Sequence, residues 1–252
     1  MRAIIIGAGR GQRLMPTTAH APKCFAEIQG KRILDWTLEA LHGGGVTEIC
    51  FIGGYRIEAV QAAYPDFIFR NNTDWPNNNI LASLMFAEDW MDQPFIISYS
   101  DILYTAPIVR KLVASTADIT LGIDTDWVEH YRPRTRHPAT DAEKMTAANG
   151  MVTRVHRAIA ADDAYGEFIG VAKFSAEGAA QLREHFHRCR ALHAGKPFRE
   201  ALVFEKAYLI HMFQEMLEHG VPMRHVDTPG DYREIDTQQD MDLAQQLWKP
   251  AR

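Results

Sequence analysis

Short apolar runs alternate with segments of helical periodicity through the first half of the chain. Each run is four to eight residues long, as expected of strands that are buried on both faces: RAIIIGA, TEICFIGG, DFIF, PFIISYSD and DITLGID. Helical spacing lies between them, over residues 33–43, 57–63, 79–91 and 106–115. Strands that alternate with helices predict a parallel sheet with right-handed crossover connections.

The pattern changes after Asp124. Residues 124–144 are polar and are interrupted by prolines, and the Asn149-Gly150 pair that follows is a strong short-range signal for a hairpin. The run EFIGVAKFS then predicts another strand. We therefore predict that residues 124–170 form an elaboration over the functional edge of the sheet.

The remainder of the chain predicts helices over residues 176–193, 200–219 and 238–248, with short strands at MRHVDT and YREID. Together the elements predict an α/β fold, a Rossmann-like three-layer α/β/α arrangement with a mostly parallel mixed sheet and a small inserted β-hairpin. With 252 residues and 46% hydrophobic content, the chain can build one large domain, predicted over residues 1–252.

The composition argues against several kinds of partner. A formal net charge of −5 gives no electrostatic footprint for nucleic acid. No apolar run approaches the roughly 18 residues that a membrane span requires, so no membrane is predicted as a partner either. Cys24, Cys50 and Cys189 are odd in number and widely spaced. This argues against a disulfide framework or a zinc site and predicts a reducing, cytoplasmic location.

A glycine-rich loop follows the first predicted strand, in the sequence GAGRGQRLMPTTAHAPKCF (residues 7–25). A strand that leads into such a loop presents backbone N–H groups to phosphate oxygens. Two well-known versions of the loop do not fit. The dinucleotide fingerprint requires glycine where Gln12 stands, and the Walker pattern requires glycine before the lysine, where Pro22 stands. A tight structural turn is the alternative interpretation.

The residues beyond the glycines favour a polyphosphate ligand. Arg13 offers a planar fork for phosphate oxygens, and Lys23 carries a mobile point charge. Pro16 and Pro22 stiffen the segment that holds Lys23, so less entropy is lost when it closes on a ligand. These features suit nucleotidyl transfer, in which charge moves along a polyphosphate.

This loop resembles the signature loop of the nucleotidyltransferase superfamily with the nucleoside-diphosphate-sugar pyrophosphorylase-like fold. The order of the family motif is kept by Gly9, Gly11, Arg13, Leu14, Pro16, Thr18, Pro22 and Lys23. Gly7 departs from it, because the family usually has alanine there. The resemblance implies a set of nucleotide-binding residues (Gly7, Ala8, Gly9, Arg10 and Gly11) and two catalytic residues (Arg13 and Lys23).

Two aspartates that are far apart in the sequence predict a metal site. Asp101 closes the run PFIISYSD, at the carboxyl end of a predicted strand, where ligands bind in open α/β sheets. A polyphosphate substrate calls for Mg²⁺, which prefers a few oxygen ligands from the protein. The resemblance implies that Mg²⁺ lies between Asp101 and Asp236. An ordinary strand-end or capping aspartate is the alternative for Asp101. Asp240 and Asp242 are predicted in the first turns of the last helix.

The segment NNNILASLMFA (residues 77–87) indicates one branch of the superfamily. It resembles the NxNIxxSL element of the phosphocholine and phosphonate cytidylyltransferase-like branch, rather than the GTAGA-like segment of sugar-nucleotide members. Asn79 and Ser83 are four positions apart on one helical face, where they are predicted to hydrogen-bond the ribose or cytosine. The alternative is that Asn79 only caps the helix.

The middle of the chain also resembles that branch, and there we predict the acceptor site. Arginines would bind a phosphonate dianion, aromatic residues an alkyl or ammonium group, and carboxylates a substrate amine. The candidates are Trp127, Tyr131, Arg132, Arg134, Asp141, Glu143 and Glu167, with Arg136 and Tyr165 as further members. The alternative is an exposed loop of salt bridges. His130 and His137 are predicted to be surface residues.

These predictions combine into a Mg²⁺-dependent cytidylyltransferase. It would transfer CMP from CTP to a small phosphonate or phosphate monoester, of the 2-aminoethylphosphonate, 2-hydroxyethylphosphonate or phosphocholine type, and release pyrophosphate. Two alternatives stay open: a sugar-1-phosphate nucleotidyltransferase that uses UTP or dTTP, and a non-catalytic nucleotide-binding regulator. The sequence determines neither the acceptor nor the oligomeric state, for which a homodimer is one option.

Overall fold

The apolar runs of the N-terminal half form strands of a large mixed sheet. A computed structural model describes residues 1–249, and the predicted end of the domain at residue 252 lies outside the described residues. The strands are β1 (Arg2–Gly7), β2 (Glu27–Ile28), β3 (Lys31–Arg32), β4 (Glu48–Gly53), β5 (Ile68–Asn71), β6 (Phe95–Tyr99), β7 (Ile102–Tyr104), β8 (Ile119–Asp124), β9 (Lys144–Ala148), β10 (Met151–Val155), β11 (Gly166–Phe174), β12 (Arg224–Asp227) and β13 (Tyr232–Glu234). The helices are α1 (Ile33–Gly43), α2 (Ile57–Ala63), α3 (Ile80–Leu84), α4 (Ala106–Ala114), α5 (Trp127–Tyr131), α6 (Ala176–His193), α7 (Leu209–Glu218) and α8 (Gln238–Leu247).

The main sheet of the described chain has the strand order β5-β4-β1-β6-β11-β8-β12-β10-β9. β1 pairs in parallel with β4 and β6, β4 pairs in parallel with β5, and β8 with β12. β11 enters between β6 and β8 and is antiparallel to both. The predicted α/β class is confirmed. Parallel pairing dominates the N-terminal half because that half is built from strand–helix–strand units.

Helices cover both faces of this sheet and produce the predicted three layers. The alternation along β1 divides its side chains between two cores. Ala3 and Ile5 pack on the side of α1 and α4, whereas Ile4 and Ile6 pack on the side of α3, α6 and α7. The three cysteines are free and buried. Among the described helices, none has the length and apolar composition needed to span a membrane.

The predicted hairpin is present, with β9 and β10 antiparallel around Asn149 and Gly150. Both turn residues have positive φ angles, 51° and 74°, as a tight two-residue hairpin turn requires. The hairpin is continuous with the main sheet, because β10 pairs with β12 and β9 pairs with the start of β11. Residues 124–170 therefore supply sheet strands as well as the polar loop.

A second, two-stranded sheet positions part of the cleft described below. β7 and β13 pair antiparallel, with Ile102 opposite Glu234, and the backbone N–H of Ile235 donates to the carbonyl of Asp101 at 2.9 Å. The sequence predicts a strand at YREID but none at β7, which is three residues long and follows β6 closely. This pairing carries Asp236 to the end of β6.

Some element boundaries differ from the prediction. α7 begins at Leu209 instead of residue 200, because the preceding residues form a bridge between Phe198 and Ala201 and a short 3-10 turn. The predicted helix over 79–91 is α3 followed by a 3-10 segment that is irregular at Ala87. The polar segment after Asp124 contains α5, which has too few residues to show a periodicity.

Candidate active site

A cleft of about 620 Å³ opens at the carboxyl ends of β1 and β6, the edge at which ligands bind in open α/β sheets. The glycine loop and the start of α3 form one half of it. The other half is formed by polar side chains from the end of β6, the polar segment, β11, the start of α7 and β13. The cleft therefore joins the predicted nucleotide loop to the predicted acceptor segment.

The glycine loop is shaped by close approaches of side chains. Gly11 has φ +67°, and a Cβ on it would lie 2.9 Å from Cδ of Lys23, so glycine allows the lysine stem to cross the loop. The Thr18 hydroxyl donates to the Gly11 carbonyl at 2.8 Å. A Cβ on Gly7 would lie 2.5 Å from the Phe51 ring, which accounts for glycine where the family usually has alanine.

The predicted loop residues are brought together with one exception. Gly7, Ala8, Gly9 and Gly11 line the cleft, together with the two predicted catalytic residues. Arg10 is not among the lining residues, and its guanidinium carbon lies 5.4 Å from the centre of the Tyr55 ring. The side chain of Arg10 therefore lies against Tyr55, outside the cleft.

Lys23 joins the two predicted metal ligands. Its ammonium donates to Asp101 at 2.7 Å and also to Asp236, and Arg13 donates to the other carboxylate oxygen of Asp236 at 2.7 Å. Burial alone would lower the pKa of Lys23, but the two carboxylates outweigh it and raise that pKa above its ordinary value. Burial opposes ionisation of Asp236, yet Lys23 and Arg13 lower its pKa to about 2. Both groups are therefore charged at neutral pH.

A second set of possible ligands lies beside Asp236. One ligand atom from each of His137, Glu234 and Asp236 lies within 4.8 Å of the other two. His137 is 3% exposed, so its prediction as a surface residue is wrong. Its burial follows from Arg134, which bonds to His137 and also pairs with Glu234 at 3.2 Å. Burial and the charge of Asp236 raise the pKa of Glu234 well above its ordinary value.

The two predicted base-reading residues both line the cleft, and both already have protein partners. The Asn79 side chain accepts from the Ile80 N–H at 2.9 Å, as a cap of α3, and donates to the Lys206 carbonyl at 3.3 Å. The hydroxyl of Ser83 accepts from the buried Asn72 amide at 2.8 Å. The capping alternative for Asn79 is therefore present, together with access to the cleft.

Two substitutions of Asn79 separate these roles. Asn79→Ala removes the cap, so we expect the free energy of unfolding to fall by about 1 kcal/mol. Asn79→Asp keeps an oxygen for the Ile80 N–H but removes the amide donor, so it should keep most of the stability. If the amide contacts the nucleotide, the aspartate variant will raise KM for CTP. Urea unfolding and CTP kinetics, measured on both variants, distinguish helix capping from nucleotide binding. Unchanged CTP kinetics in the aspartate variant would show that Asn79 only caps the helix.

The predicted acceptor residues divide into two groups. Asp141, Glu143 and Glu167 line the cleft, whereas Trp127, Tyr131, Arg132 and Arg134 do not. Trp127 and Tyr131 are buried in a small cluster with Ala142, although the Tyr131 hydroxyl donates to Glu167 at 2.7 Å.

The arginines of the polar segment pair with carboxylates of the protein. Arg132 is exposed and pairs with Glu129 at 2.7 Å, as the alternative of an exposed salt-bridged loop describes. Arg134 is buried against Asp240 at 2.7 Å. Asp240 itself accepts the N–H of Thr237 at 2.7 Å in a capping box of α8, as its predicted place in the first turn of that helix implies.

The three further predicted residues of this region lie outside the cleft lining. Arg136 is exposed, and the Tyr165 hydroxyl donates to Asp227 at 2.7 Å. His130, predicted at the surface, instead has its side chain buried 2.8 Å from Asp124, which corrects that prediction. The contact of Tyr165 with Asp227 arises because β11 and β12 both pair with β8, whereas His130 meets Asp124 across the short connection between β8 and α5.

Sequence reasoning missed a group of cleft residues around Arg157. Arg157 donates to Glu143 at 3.1 Å, and its guanidinium carbon lies 4.1 Å from the centre of the Tyr208 ring. The Tyr99 hydroxyl donates to the other oxygen of Glu143 at 3.3 Å. No local motif marks these residues, because they come from the ends of separate elements. For this part of the cleft, the sequence does predict Glu143, from the polar segment, and Glu167, from the strand YGEFIGVAKFS.

Glu167 gives a prediction about pH. Burial raises the pKa of Glu167 to about 8, against the hydrogen bond from Tyr131. The folded protein therefore binds the carboxyl proton of Glu167 more tightly than the unfolded chain does. Protonated Glu167 stabilises the fold fully below its ordinary pKa, and this stabilisation is lost as the pH rises towards 8. Glu167→Gln keeps the acceptor for Tyr131 and removes the titration. We expect a smaller decline in unfolding free energy over this pH range than in the wild type, measured by urea unfolding. The same decline in both proteins would contradict this assignment.

The chain is similar to a known protein family and to characterised cytidylyltransferases. Residues 3–166 match a family model described as MobA-like NTP transferase domain. The CTP:phosphoglutamine cytidylyltransferase of Campylobacter jejuni is 30% identical over 255 residues, covering 96% of this chain and 98% of that protein. The 2-aminoethylphosphonate cytidylyltransferase of Lancefieldella rimae is 24% identical over 201 residues, covering 73% of this chain and 71% of that protein.

A solved structure gives the same architecture. The CTP:phosphocholine cytidylyltransferase from Streptococcus pneumoniae superposes with a TM-score of 0.75 at 18% identity, covering 98% of this chain and 99% of that one. At this identity the likeness concerns the fold alone, and it agrees with the α/β class found here.

Proposed function

The chain belongs to the MobA-like NTP transferase family, in agreement with the predicted resemblance to nucleotidyltransferases, and we propose that it transfers CMP from CTP to a small phosphate monoester or phosphonate. The observation that carries the proposal is the convergence of Lys23, Asp101 and Asp236 beside the glycine loop. The relatives named as CTP-dependent enzymes support the choice of nucleotide.

The glycine loop would hold the triphosphate. Gly9 and Gly11 line the cleft. Apart from its chain neighbours, none of the described residues has an atom within 4 Å of the Cβ position of Gly9, so the backbone there is open to a ligand. Arg13 is largely exposed at the cleft, with its guanidinium fixed on Asp236 at one end. Loop N–H groups and Arg13 together would bind the β- and γ-phosphates.

Lys23 would act at the reacting centre. The acceptor oxygen, already ionised at neutral pH, attacks the α-phosphorus of CTP in line, and pyrophosphate leaves. Two anions must approach each other in this step, so a buried ammonium that bridges the α-phosphate and the acceptor oxygen would reduce their repulsion. The raised pKa of Lys23 keeps it charged for this role. No general base is required.

The carboxylates of the site fit a divalent cation. Asp101 and Asp236 offer the hard oxygen donors that Mg²⁺ prefers. Glu234 lies close to Asp236, and burial together with the negative charge of Asp236 raises the pKa of Glu234. We propose that Asp101 and Asp236 hold Mg²⁺, with His137 and Glu234 near enough to Asp236 to support the site. When bound, the ion would neutralise charge on the nucleotide phosphates.

A panel of substrates tests the proposal. CTP, UTP, dTTP and ATP would each be combined with phosphocholine, 2-aminoethylphosphonate, 2-hydroxyethylphosphonate, phosphoglutamine and glucose 1-phosphate, with Mg²⁺ present, and pyrophosphate release measured. We expect release with CTP and at least one of the first four acceptors. Release only with UTP or dTTP and the sugar phosphate would instead support the sugar-nucleotide alternative. If no combination releases pyrophosphate, the alternative of a non-catalytic nucleotide-binding regulator would be favoured.

A further inference from the structure

The acceptor half of the cleft contains an arginine that its protein partners leave partly free. Arg13 and Arg157 are the cleft-lining arginines of the described chain. Arg13 serves the loop side, where it bonds to Asp236. In the described residues, no hydrogen bond or ion pair joins Arg157 to Asp101 or Asp236, the carboxylates that hold Lys23. Arg157 is therefore available to a part of the acceptor other than the reacting phosphoryl group.

The hydrogen-bonding capacity of Arg157 is incompletely used. One terminal nitrogen donates to Glu143 at 3.1 Å, while its buried Nε has no hydrogen-bond partner among the described residues. The side chain is 34% exposed at the cleft. The exposed part of the guanidinium can therefore accept a further anionic partner, and the planar fork of an arginine matches the two oxygens of a carboxylate.

The surroundings hold this guanidinium in place before a ligand arrives. Tyr208 lies under its plane at 4.1 Å, and Glu143 is fixed in turn by the Tyr99 hydroxyl at 3.3 Å. Fewer rotamers are then lost on binding. Glu167 lines the same half of the cleft and accepts a hydrogen bond from Tyr131. The region thus presents one cationic fork beside two carboxyl groups. Burial raises the pKa of both carboxyl groups, and a bound ammonium would lower those pKa values and favour the ionised form.

This arrangement matches a zwitterion better than a simple cation. A lone ammonium group would meet the carboxyl groups but would also face the positive charge of Arg157. A ligand that carries an ammonium beside a carboxylate can pair its ammonium with Glu143 and Glu167 and its carboxylate with Arg157. We propose that Arg157 binds a carboxylate of the acceptor and that Glu143 and Glu167 bind the adjacent ammonium, so that phosphorylated compounds with an α-amino-carboxylate end are the preferred acceptors. The proposal rests on the proposed function and names its substrate class.

The relative that acts on phosphoglutamine is compatible with this class, since glutamine carries both groups. The most direct test uses pairs of acceptors that differ only by the carboxylate. O-Phosphoserine and O-phosphoethanolamine form a short pair, and phosphoglutamine with its decarboxylated counterpart forms a longer one. We expect kcat/KM with CTP to favour the carboxylated member by about 10-fold or more in at least one pair.

Arg157→Met should bring that ratio close to one. Arg154→Met removes the same charge from an exposed position three residues earlier and should keep the ratio. A wild-type enzyme that uses the decarboxylated member equally well in both pairs overturns the proposal, and so does a preference that survives Arg157→Met. If Arg157→Met lowers kcat/KM equally for both members of a pair, Arg157 would act on the phosphoryl group that the two members share. This result would also overturn the proposal. If phosphocholine, 2-aminoethylphosphonate, 2-hydroxyethylphosphonate and both pairs all fail to release pyrophosphate from CTP, the proposed function itself fails, which is a separate outcome.

Discussion

Replacement of Lys23 by alanine is expected to reduce turnover about 100-fold or more while changing KM for CTP much less. The reason is that the ammonium interacts most strongly when negative charge builds up around the α-phosphate, which occurs only in the transition state. Lys23 is held for this by Asp101 and Asp236. Steady-state kinetics with CTP and the best acceptor of the panel measure both parameters.

Two further measurements keep this result interpretable. Lys23→Ala leaves the carboxylates of Asp101 and Asp236 without their shared cation, so the apo protein should also lose stability at neutral pH. Thermal unfolding shows whether the variant is folded at the assay temperature. Lys196→Ala, which removes an exposed lysine, should change neither turnover nor stability. Near-normal turnover in a folded Lys23→Ala variant would remove Lys23 from the mechanism.

The second large effect is expected at the two aspartates. Asp101→Asn and Asp236→Asn should each lower turnover by about 10³-fold, because each removes one charge from the proposed Mg²⁺ site and keeps the shape of the side chain. If the two act as one unit, the double variant will be little worse than either single variant. Asp242→Asn, an exposed position on α8, is the matched control and should retain activity.

A binding measurement separates the metal from other roles of these carboxylates. Mn²⁺ would be titrated in the presence of CTP and followed by electron paramagnetic resonance, since Mg²⁺-type ions arrive with the triphosphate and keep several waters. Wild-type protein should bind the ion together with CTP, and both single variants should bind it more weakly. Full activity in Asp236→Asn, or unchanged Mn²⁺ binding in Asp101→Asn, would contradict the site.

The sequence predicts the parts of the fold that depend on local pattern. The strand–helix alternation up to Asp124, the Asn149-Gly150 hairpin and the 18-residue helix α6 are all present. Each of these depends on periodicity or turn chemistry within a short window, so one sequence is enough. The glycine loop and Asp236 are recognised through motifs, and the structure brings them together.

Features that depend on distant pairing are not predictable in the same way. β7 is too short to show alternation, yet its pairing with β13 decides where Asp236 lies. Arg132 and Arg134 have the residue type that binds phosphonate, and only the structure shows that their charges are taken up by Glu129, Glu234 and Asp240. His137 and Arg157 enter the cleft through tertiary contacts, for which no local signal exists.

The central claim, that this cleft joins CMP to the phosphoryl oxygen of a small acceptor, is tested most directly by the chemistry of the product. ³¹P nuclear magnetic resonance would follow CTP and the best acceptor with enzyme and Mg²⁺. We predict two mutually coupled phosphorus signals from a new P–O–P linkage, in equal amount to the pyrophosphate released, and their absence with Lys23→Ala over the same period. Formation of free CMP without a coupled pair, or a coupled product made equally fast by Lys23→Ala, would contradict it.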